Sequence, residues 1–324
     1  MLRYIDRLDD RLHRSIVDKK RKLESKGKLT DKSLSDLERA VEVEFVYNTN
    51  SMEGNSLSLG ETRMVLRGMT ISGKPLTEIQ EIKNHPASIE FMKTLAFDRT
   101  TSLTEHNILK LHKIAMDKVI EDSGKYRQDD YIAVKGAQFT PTSWHEISDD
   151  MKELLDFINE NPDGLSPVEI ATHAHYFFSR IHPFHDGNGR MARLLTNFIL
   201  LRNRYPFIVF KKVDRTQYLR TLHKADDGYF RPLLLFVAGL VRQSLESYLH
   251  AIEDGGGSGR RQQQKLLPLA ELAKGTPYSA AYLRVLANRK AIDVVKDRDG
   301  KTWMTTRKII DNYIAQHRKR QAWS

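Results

Sequence analysis

The sequence contains no cysteine among its 324 residues. Disulfide bonds and thiolate chemistry are therefore excluded, and a reducing compartment suits this composition. Long apolar runs are lacking too, so no stretch has the length of a membrane-spanning helix. The opening residues Met1–Asp6 lack the apolar core of a signal peptide. We therefore expect a cytoplasmic protein that makes no contact with a membrane.

Positive charge is unevenly distributed along the chain. The net charge is +10, in a composition that is 40% hydrophobic and 29% charged and thus ordinary for a globular protein. Residues 264–324 carry thirteen Lys or Arg against five Asp or Glu, an excess of eight positive charges. Such a concentration is typical of nucleic-acid contact, although a protein-docking module or a merely solvated surface has the same composition.

A glycine-rich segment separates this basic region from the rest of the chain. Residues 255–259 read Gly-Gly-Gly-Ser-Gly, which is typical of a flexible linker. The chain length suits two or three domains. We predict an N-terminal helical region at 1–95, a helical core at 96–251, a linker at 252–263 and a basic domain at 264–324.

The basic domain has the element order of a winged helix-turn-helix. Apolar spacing predicts helices at 267–274 and 279–288, strands at 292–295 and 302–305, and a last helix from about Arg307. This order resembles the excisionase-like winged helices, and the resemblance implies DNA contact. A basic protein-docking module is the alternative.

The rest of the chain is predicted to be mainly α-helical, because apolar residues recur at spacings of three and four. Ser58 with Glu61 and Ser166 with Glu169 predict capping boxes at two helix starts. The predicted helices lie at 2–24, 33–52, within 70–97 after a turn, at 103–119, 147–159, 166–181 and twice within 206–250.

The stretch from His182 to Arg193 carries the strongest chemical signal. It reads His-Pro-Phe-His-Asp-Gly-Asn-Gly-Arg-Met-Ala-Arg, and an apolar helical pattern follows. Gly187 and Gly189 flank Asn188, and glycines just before a helix leave the N–H groups of its first turn open to an anion. The helix dipole adds partial positive charge at the same end. The stretch is thus predicted to bind phosphate.

Charged side chains complete a predicted polyphosphate site. Arg190 and Arg193 are three residues apart and share a face of the first helical turn, where two guanidiniums suit several phosphates. Asp186 is placed to hold a hard cation such as Mg²⁺ on those phosphates. His182 is a candidate general base, because imidazole titrates near neutral pH.

This stretch resembles the signature of the Fic (filamentation induced by cAMP) family, His-Pro-Phe-x-(Asp/Glu)-Gly-Asn-Gly-Arg-x-x-Arg, at all nine specified positions. The resemblance implies a mainly α, Fic-type helical core with a short β-hairpin flap. It also implies a protein adenylyltransferase, which moves AMP from ATP to a Ser, Thr or Tyr hydroxyl of a protein. The kinase branch of the superfamily carries Lys where this chain has Gly189, so phosphate transfer is not expected.

The resemblance implies a role for each residue of the signature. His182 would take the proton of the target hydroxyl, and Phe184 would anchor the loop in the core. Asp186 would hold Mg²⁺, or Mn²⁺, on the α- and β-phosphates. Charge at the α-phosphate would be stabilised by the backbone N–H groups of Gly187 and Gly189 and the side chain of Asn188, and the β- and γ-phosphates would be bound by Arg190 and Arg193.

A second motif lies at the end of the helix predicted at 33–52. Residues Thr49 to Gly54 match the (Ser/Thr)-x-x-x-Glu-(Gly/Asn) pattern of the inhibitory helix that accompanies many Fic proteins. The resemblance implies an inhibitor within the chain, with a salt bridge from Glu53 to Arg193 that keeps Arg193 from the γ-phosphate. Gly54 would be the C′ residue of the helix. A second implied use of Glu53 is to position water for removal of AMP from a modified target.

A β-hairpin is predicted from Tyr131, Ile132, Ala133 and Val134 to residues 138–140. In Fic proteins this position is the flap, which pairs with the backbone of the target peptide. A hairpin that only covers the core is the alternative. The expected partners are ATP, protein targets that include the chain itself, DNA through residues 264–324, and a second copy of the chain.

Two other interpretations compete with AMP transfer. His173, His175, His182 and His185 are close in sequence, and two histidines with a carboxylate can bind Zn²⁺ or Fe²⁺. That site would not require Gly-Asn-Gly-Arg, and we expect one of His173 and His175 at a helix surface and the other in the core. The second competitor is a DNA-binding regulator whose Fic domain senses nucleotide; a defective signature would favour it, but no signature residue is missing.

Overall fold

The computed structural model describes residues 5–26, 31–131, 139–255, 267–289, 291–292, 294–297, 302–307, 309–311 and 313–314. The chain divides into two compact units, Met1–Gly257 and Ser258–Ser324. The described part of the first unit is helical. Its α-helices are α1 (Asp10–Ser25), α2 (Asp31–Met52), α3 (Leu59–Leu66), α4 (Leu76–Phe97), α5 (Glu105–Met116), α6 (Ile147–Glu160), α7 (Pro167–Ile181), α8 (Asn188–Arg202), α9 (Arg215–Asp226) and α10 (Arg231–Gly255).

Helix ends follow their capping residues. The prediction that α1 starts at residue 2 was wrong: it starts at Asp10, because the Asp9 side chain caps it by accepting the N–H of Leu12 at 2.9 Å. The capping boxes predicted at Ser58 and Ser166 are both present. Helix α5 ends at Met116, three residues before the predicted end.

Helices α7 and α8 form the centre of the first unit. They pack against each other, and α2, α4, α6 and α10 contact one or the other of them. Nearly all residues of both helices are buried, which explains why their sequences are apolar over most of the helix surface. The loop between them, residues 182–187, is therefore held at both ends by the core.

The second unit has its own small core. It contains α11 (Leu269–Leu272), α12 (Ala280–Asn288) and an antiparallel sheet in the order β1 (Leu267–Pro268), β3 (Trp303–Thr305), β2 (Val295–Lys296). The helix predicted at 267–274 is shorter, because residues 267–268 pair with β3 instead. Both strands of the predicted wing are present, the first displaced to 295–296, while the winged-helix assignment stays a prediction. The core residues are Leu269, Leu272, Leu283, Leu286, Ala287, Ile292 and Ile310.

Most of the predicted hairpin cannot be compared, since Ile132, Ala133, Val134 and residue 138 lie outside the described residues. Tyr131, which is described, is 98% exposed. Within the described ranges, none of the helices is both long enough and apolar enough to cross a bilayer.

The buried side chain of Asn197 fastens α8 to the segment that follows it. Its Oδ1 accepts the N–H of Ile208 at 2.8 Å, and its Nδ2 donates to the carbonyl of Ile208 at 3.1 Å. We expect Asn197→Ala to lower the free energy of unfolding by about 2–3 kcal/mol, because both backbone groups lose their partner in the core. Asn203→Ala is the matched control: the side chain of Asn203 donates to the carbonyl of Ile199, four residues before it, and is half-buried. Urea unfolding should show a clear difference between the two variants, and equal losses would contradict this account.

Candidate active site

His182 is the residue that ends α7, and its backbone is left-handed. Its φ is 51° and its ψ 57°, a conformation that costs a residue with a β-carbon about 1–2 kcal/mol. Its N–H donates to the carbonyl of Phe178 at 3.1 Å, and its Nδ1 lies 3.2 Å from the carbonyl of Ser179. Since a carbonyl only accepts, Nδ1 carries the proton. The lone pair is therefore on Nε2, as a general base requires.

The surroundings of His182 keep its imidazole neutral. Burial lowers the pKa of His182 below 6.5, and the positive charge of Arg127 lowers it further. The Ser179 carbonyl and the carboxylates of Glu53 and Asp186 act in the opposite direction without reversing the shift. At neutral pH the ring is therefore ready to accept a proton.

The loop after His182 is anchored by Phe184, as expected. Phe184 is fully buried and stacks on His112, with ring centroids 3.6 Å apart. The Asn188 amide bonds the same residue twice: Oδ1 accepts the N–H of Phe184 at 3.0 Å, and Nδ2 donates to its carbonyl at 2.7 Å. The side chain of Asn188 thus shapes the loop, and a single amide hydrogen is left for a role at the α-phosphate.

The N-terminus of α8 has the form of an anion site. Gly187 precedes the helix with φ of 84°, and the first intrahelical bond runs from Met191 N–H to Gly187 O at 2.9 Å. The N–H groups of residues 188–190 thus lie ahead of the hydrogen-bonded ladder. A β-carbon on Gly189 would lie 2.3 Å from Oε1 of Glu53. The space that glycine leaves at this helix end is therefore filled by a carboxylate.

Arg193 is bound to Thr49 and Glu53, two residues of the second motif. Its Nη2 donates to Oε1 of Glu53 at 2.5 Å and to the carbonyl of Thr49 at 3.0 Å, and its Nε donates to Oγ1 of Thr49 at 2.7 Å. The predicted salt bridge between Glu53 and Arg193 is thus present. The Arg193 side chain is 2% exposed and that of Glu53 35%. Gly54 follows α2 with φ of 108°, as a C′ residue does.

The Glu53 carboxylate is charged at neutral pH. Burial raises its pKa, but the guanidiniums of Arg193 and Arg190 outweigh burial and hold the pKa below 4.5. The ion pair between Glu53 and Arg193 is therefore kept at neutral and mildly acidic pH, and is lost only as the pH falls below 4.5.

Arg190 and Asp186 form a second ionic group. Arg190 is 1% exposed and donates to Oε1 of Glu81 at 2.6 Å and to Oδ2 of Asp186 at 2.9 Å. Oδ1 of Asp186 accepts the N–H of Gly187 at 2.6 Å, so that this N–H serves the carboxylate instead of facing a phosphate. The Asp186 side chain is 54% exposed and retains free lone pairs, which fits a cation that takes most of its ligands from phosphate and water.

The alternative histidine metal site does not assemble. His173 and His175 are both fully buried, so the expectation that one of them lies at the helix surface was wrong. His173 stacks on Phe230 with ring centroids 4.0 Å apart, and Nε2 of His175 lies 2.8 Å from the Tyr218 hydroxyl. In the part of the chain that the structure describes, no three His, Asp or Glu side chains could share a metal ion.

A cavity joins the candidate base to the candidate phosphate ligand. Glu53, His182, Asn188, Gly189 and Arg193 lie on its wall, whereas Asp186 and Arg190 are not among the described residues that line it. Residues of α9 also line this cavity. Its remaining lining residues are Met52, Phe139, Ser179, Arg215, Tyr218, Leu219, Leu222, His223 and Asp226.

Three supporting residues escaped sequence reasoning. Nε2 of His112 lies 3.0 Å from the carbonyl of Asp186, and burial lowers the pKa of His112 to about 4. Nε of Arg215 donates to the carbonyl of Met52 at 2.9 Å and so holds the end of α2. Arg127 binds the carbonyl of His182. Each acts on a backbone group far away in sequence, so no local pattern marks it.

This chain is similar to known proteins in sequence. Residues 102–200 match the model of the Fic/DOC family. The chain is 33% identical over 218 residues to protein adenylyltransferase fic-1 of Caenorhabditis briggsae, a match that covers 66% of this chain and 42% of that protein. It thus spans less than half the length of this curated relative.

Two solved structures are similar over most of the chain. A Fic-domain signaling protein of Bacteroides thetaiotaomicron has a TM-score of 0.69 at 32% identity, over 74% of this chain and 97% of that one. Fic-1 of Caenorhabditis elegans, residues 134–508, has a TM-score of 0.69 at 30% identity, over 75% and 72%. By sequence and by fold, the chain belongs to the Fic/DOC family.

Proposed function

We propose that this chain is a protein adenylyltransferase that moves AMP from ATP to a Ser, Thr or Tyr hydroxyl of a protein. The observation that carries the proposal is one cavity with an unprotonated Nε2 on His182 and a buried guanidinium on Arg193 beside the N-terminus of α8. The name of the Caenorhabditis briggsae relative, protein adenylyltransferase, supports it.

In the proposed reaction His182 removes the proton of the target hydroxyl. The hydroxyl oxygen forms a bond to the α-phosphorus of ATP as the bond to pyrophosphate breaks, and the proton stays on Nε2 until solvent takes it. The N–H groups of residues 188–190 stabilise charge that develops at the α-phosphate. Arg193 binds the distal phosphates, and the apolar residues Leu219 and Leu222 face the nucleoside.

Asp186 would hold Mg²⁺, or Mn²⁺, since its carboxylate is the accessible hard ligand beside the phosphate site. Such an ion would neutralise phosphate charge. Arg190 and the N–H of Gly187 fix the orientation of the Asp186 carboxylate.

The ion pair between Glu53 and Arg193 would make the resting chain nearly silent. The carboxylate occupies the phosphate ligand and places negative charge where a γ-phosphate must lie. ATP that binds beside it would be displaced, and a misplacement of about 1 Å costs on the order of 10² in rate. Removal of AMP with water positioned by Glu53 is a secondary part of this proposal.

Tyr131 and the neighbouring Ile132, Ala133 and Val134 are the proposed docking segment for the target peptide. Only Tyr131 is described there, and its exposed side chain leaves it accessible to a protein. This proposal is supported by the resemblance of the signature at residues 182–193, which follows this segment in the sequence, to that of the Fic family.

The self-labelling assay with ATP labelled at the α-phosphate and Mg²⁺ tests both the activity and its inhibition. We expect Glu53→Gly to raise self-labelling about 10²-fold over wild type, because Arg193 is released to the γ-phosphate. Glu44→Ala is the control: it removes an exposed carboxylate from α2, the helix that Glu53 directly follows, without touching Arg193, and should leave labelling unchanged.

Two further variants assign the roles. The double variant Glu53→Gly/His182→Ala should label itself roughly 10²–10⁴-fold more slowly than Glu53→Gly, because the general base is missing. Arg193→Ala should not mimic Glu53→Gly, since it removes the phosphate ligand together with the ion pair. Equal labelling of wild type and Glu53→Gly would contradict autoinhibition, and no turnover in any variant would favour the nucleotide-sensing regulator.

The pH dependence of the Glu53→Gly variant follows from the environment of His182. The pKa of His182 is already below 6.5, and removal of the Glu53 charge, which raises it, should lower it further. The rate at saturating ATP should therefore be flat from pH 7 to 8 and fall only below pH 6.5. A midpoint above pH 6.5 would show that another group limits the acid side.

A second function, DNA contact by residues 264–324, is favoured by the surface of α12. This helix buries Leu283 and Leu286 and exposes Tyr282 and Arg284, and Arg289, which directly follows it, is exposed as well. A basic and aromatic outer face over an apolar inner face suits contact with a phosphate backbone.

Salt dependence tests this second function. If α12 and its neighbours contact about four phosphates, affinity for duplex DNA should fall on the order of 10²-fold between about 50 and 200 mM salt. Arg284→Ala/Arg289→Ala should weaken binding, while Arg242→Ala, an exposed arginine of α10, should not. DNA binding that does not depend on salt concentration, or an absence of DNA binding at low salt, would favour a protein-docking module.

A further inference from the structure

The guanidinium of Arg127 lies buried beneath the loop that carries His182. Its side chain is 1% exposed. On the side of the loop, Nε donates to the carbonyl of His182 at 2.9 Å, and Nη2 reaches the carbonyl of Ile181 at 3.5 Å. The backbone N–H of Arg127 donates to the carbonyl of Pro183 at 3.0 Å. Three consecutive carbonyls around the candidate base thus face one residue.

These contacts determine the backbone angles of His182. The peptide plane before its Cα is held by the bond from its N–H to the Phe178 carbonyl, and the plane after it by Nε of Arg127. Because φ and ψ describe the rotation of these two planes, both angles are fixed. A left-handed histidine needs such support, since sterics disfavour it. Pro183, which follows, has no N–H that could replace the contact.

The remaining donors of Arg127 reach a different part of the chain. Nη1 donates to the carbonyl of Asp129 at 2.7 Å and to Oδ1 of Asp130 at 3.0 Å, and Nη2 donates to the carbonyl of Thr142. Oδ1 of Asp130 also accepts the N–H of Trp144 at 2.8 Å. Arg127 therefore joins residues 129–130 and 142 to the His182 loop, and every nitrogen of its side chain has an acceptor.

We propose that Arg127 is a positioning residue that aims Nε2 of His182 by fixing the His182 backbone from below. The effect of Arg127 on catalysis rests on the proposed AMP transfer. Its effect on the orientation of His182 does not. Arg127 is absent from the residues that line the described cavity, so that it acts on the base and not on ATP. A planar guanidinium is required, because five donors in a fixed fork serve two segments at once, whereas an ammonium has three donors on one atom.

Kinetics in the Glu53→Gly background provide the first test. We expect Arg127→Met to lower kcat about 10²-fold, the cost of misplacing a reacting group by about 1 Å, while the KM for ATP stays within about threefold. Arg127→Lys keeps the charge near His182 but loses the fork, so it should recover less than a tenth of the parental kcat. Arg202→Met is the matched control. Arg202 also binds three carbonyls, those of Leu95, Arg99 and Thr101, at the far end of α8, and its loss should leave kcat unchanged.

Nitrogen NMR of histidine-labelled protein provides the second test and needs no AMP transfer. The signals of His182 are assigned among twelve histidines by their absence in His182→Ala. In the wild type they should show the Nδ1–H tautomer that the Ser179 carbonyl selects. In Arg127→Met and Arg127→Lys the Nε2–H tautomer, which free histidine prefers, should become populated.

The outcomes separate this inference from the proposed activity. A fall in kcat with an unchanged KM for ATP, together with the tautomer change, supports the positioning role. An unchanged tautomer in both variants, a parental kcat in Arg127→Lys, or a parallel loss of ATP affinity overturns it. If the Glu53→Gly variant itself is inactive, the proposed function fails. The tautomer of His182 in the Arg127 variants still tests the positioning role of Arg127. If Arg127→Met does not fold, Arg127→Lys decides alone.

Discussion

The active site depends on one buried positive charge, that of Arg193. A guanidinium that is 2% exposed needs a negative partner, because an unpaired charge away from water is costly. In the structure the partner is Glu53; in the proposed reaction it is a phosphate of ATP. The two partners differ in one respect that matters. The side chain of Glu53 is 35% exposed. The carboxylate can therefore leave the ion pair while the arginine stays in place.

The position of α2 makes rotation of Glu53 the easier route of release. Oδ1 of Asn48 accepts the N–H of Lys212 at 2.8 Å, and Arg215 donates to the carbonyl of Met52 at 2.9 Å. Displacing the whole helix would break both contacts as well as those of Thr49. Turning the Glu53 side chain would break only its own. The buried arginine and the partly exposed glutamate suit the proposed inhibition, in which a phosphate chain would displace only the Glu53 side chain.

The sequence predicts most of what lies close together in the chain. The capping residues follow from short patterns, the salt bridge of Glu53 is implied by the resemblance to the Fic family, and the structure contains both. The contacts that the sequence does not predict join residues that are far apart in the chain. Arg127 binds the carbonyl of His182, which is 55 residues away, and sequence patterns describe side chains and not the carbonyls that they reach. The start of α1 was predicted too early for a simpler reason. Apolar spacing extends through residues 2–8, but Asp9 is the N-cap residue, so the helix begins at Asp10.

The two arginines of the signature show where equal spacing does not give equal roles. From the sequence, Arg190 and Arg193 share a helical face and both suit phosphates. In the structure Arg190 lies between Glu81 and Asp186, so its charge is already balanced by two carboxylates.

Glu81 in turn accepts a hydrogen bond from the side-chain amide of Asn55 at 2.7 Å, which ties this ionic group to the segment that follows α2. A phosphate would have to share Arg190 with the residue proposed to hold the metal ion, whereas it can take Arg193 by replacing a single glutamate. Arg190 therefore orients Asp186, and the exchangeable partner belongs to Arg193. The proposed inhibition therefore involves Arg193, whose carboxylate partner can be replaced without dismantling the loop.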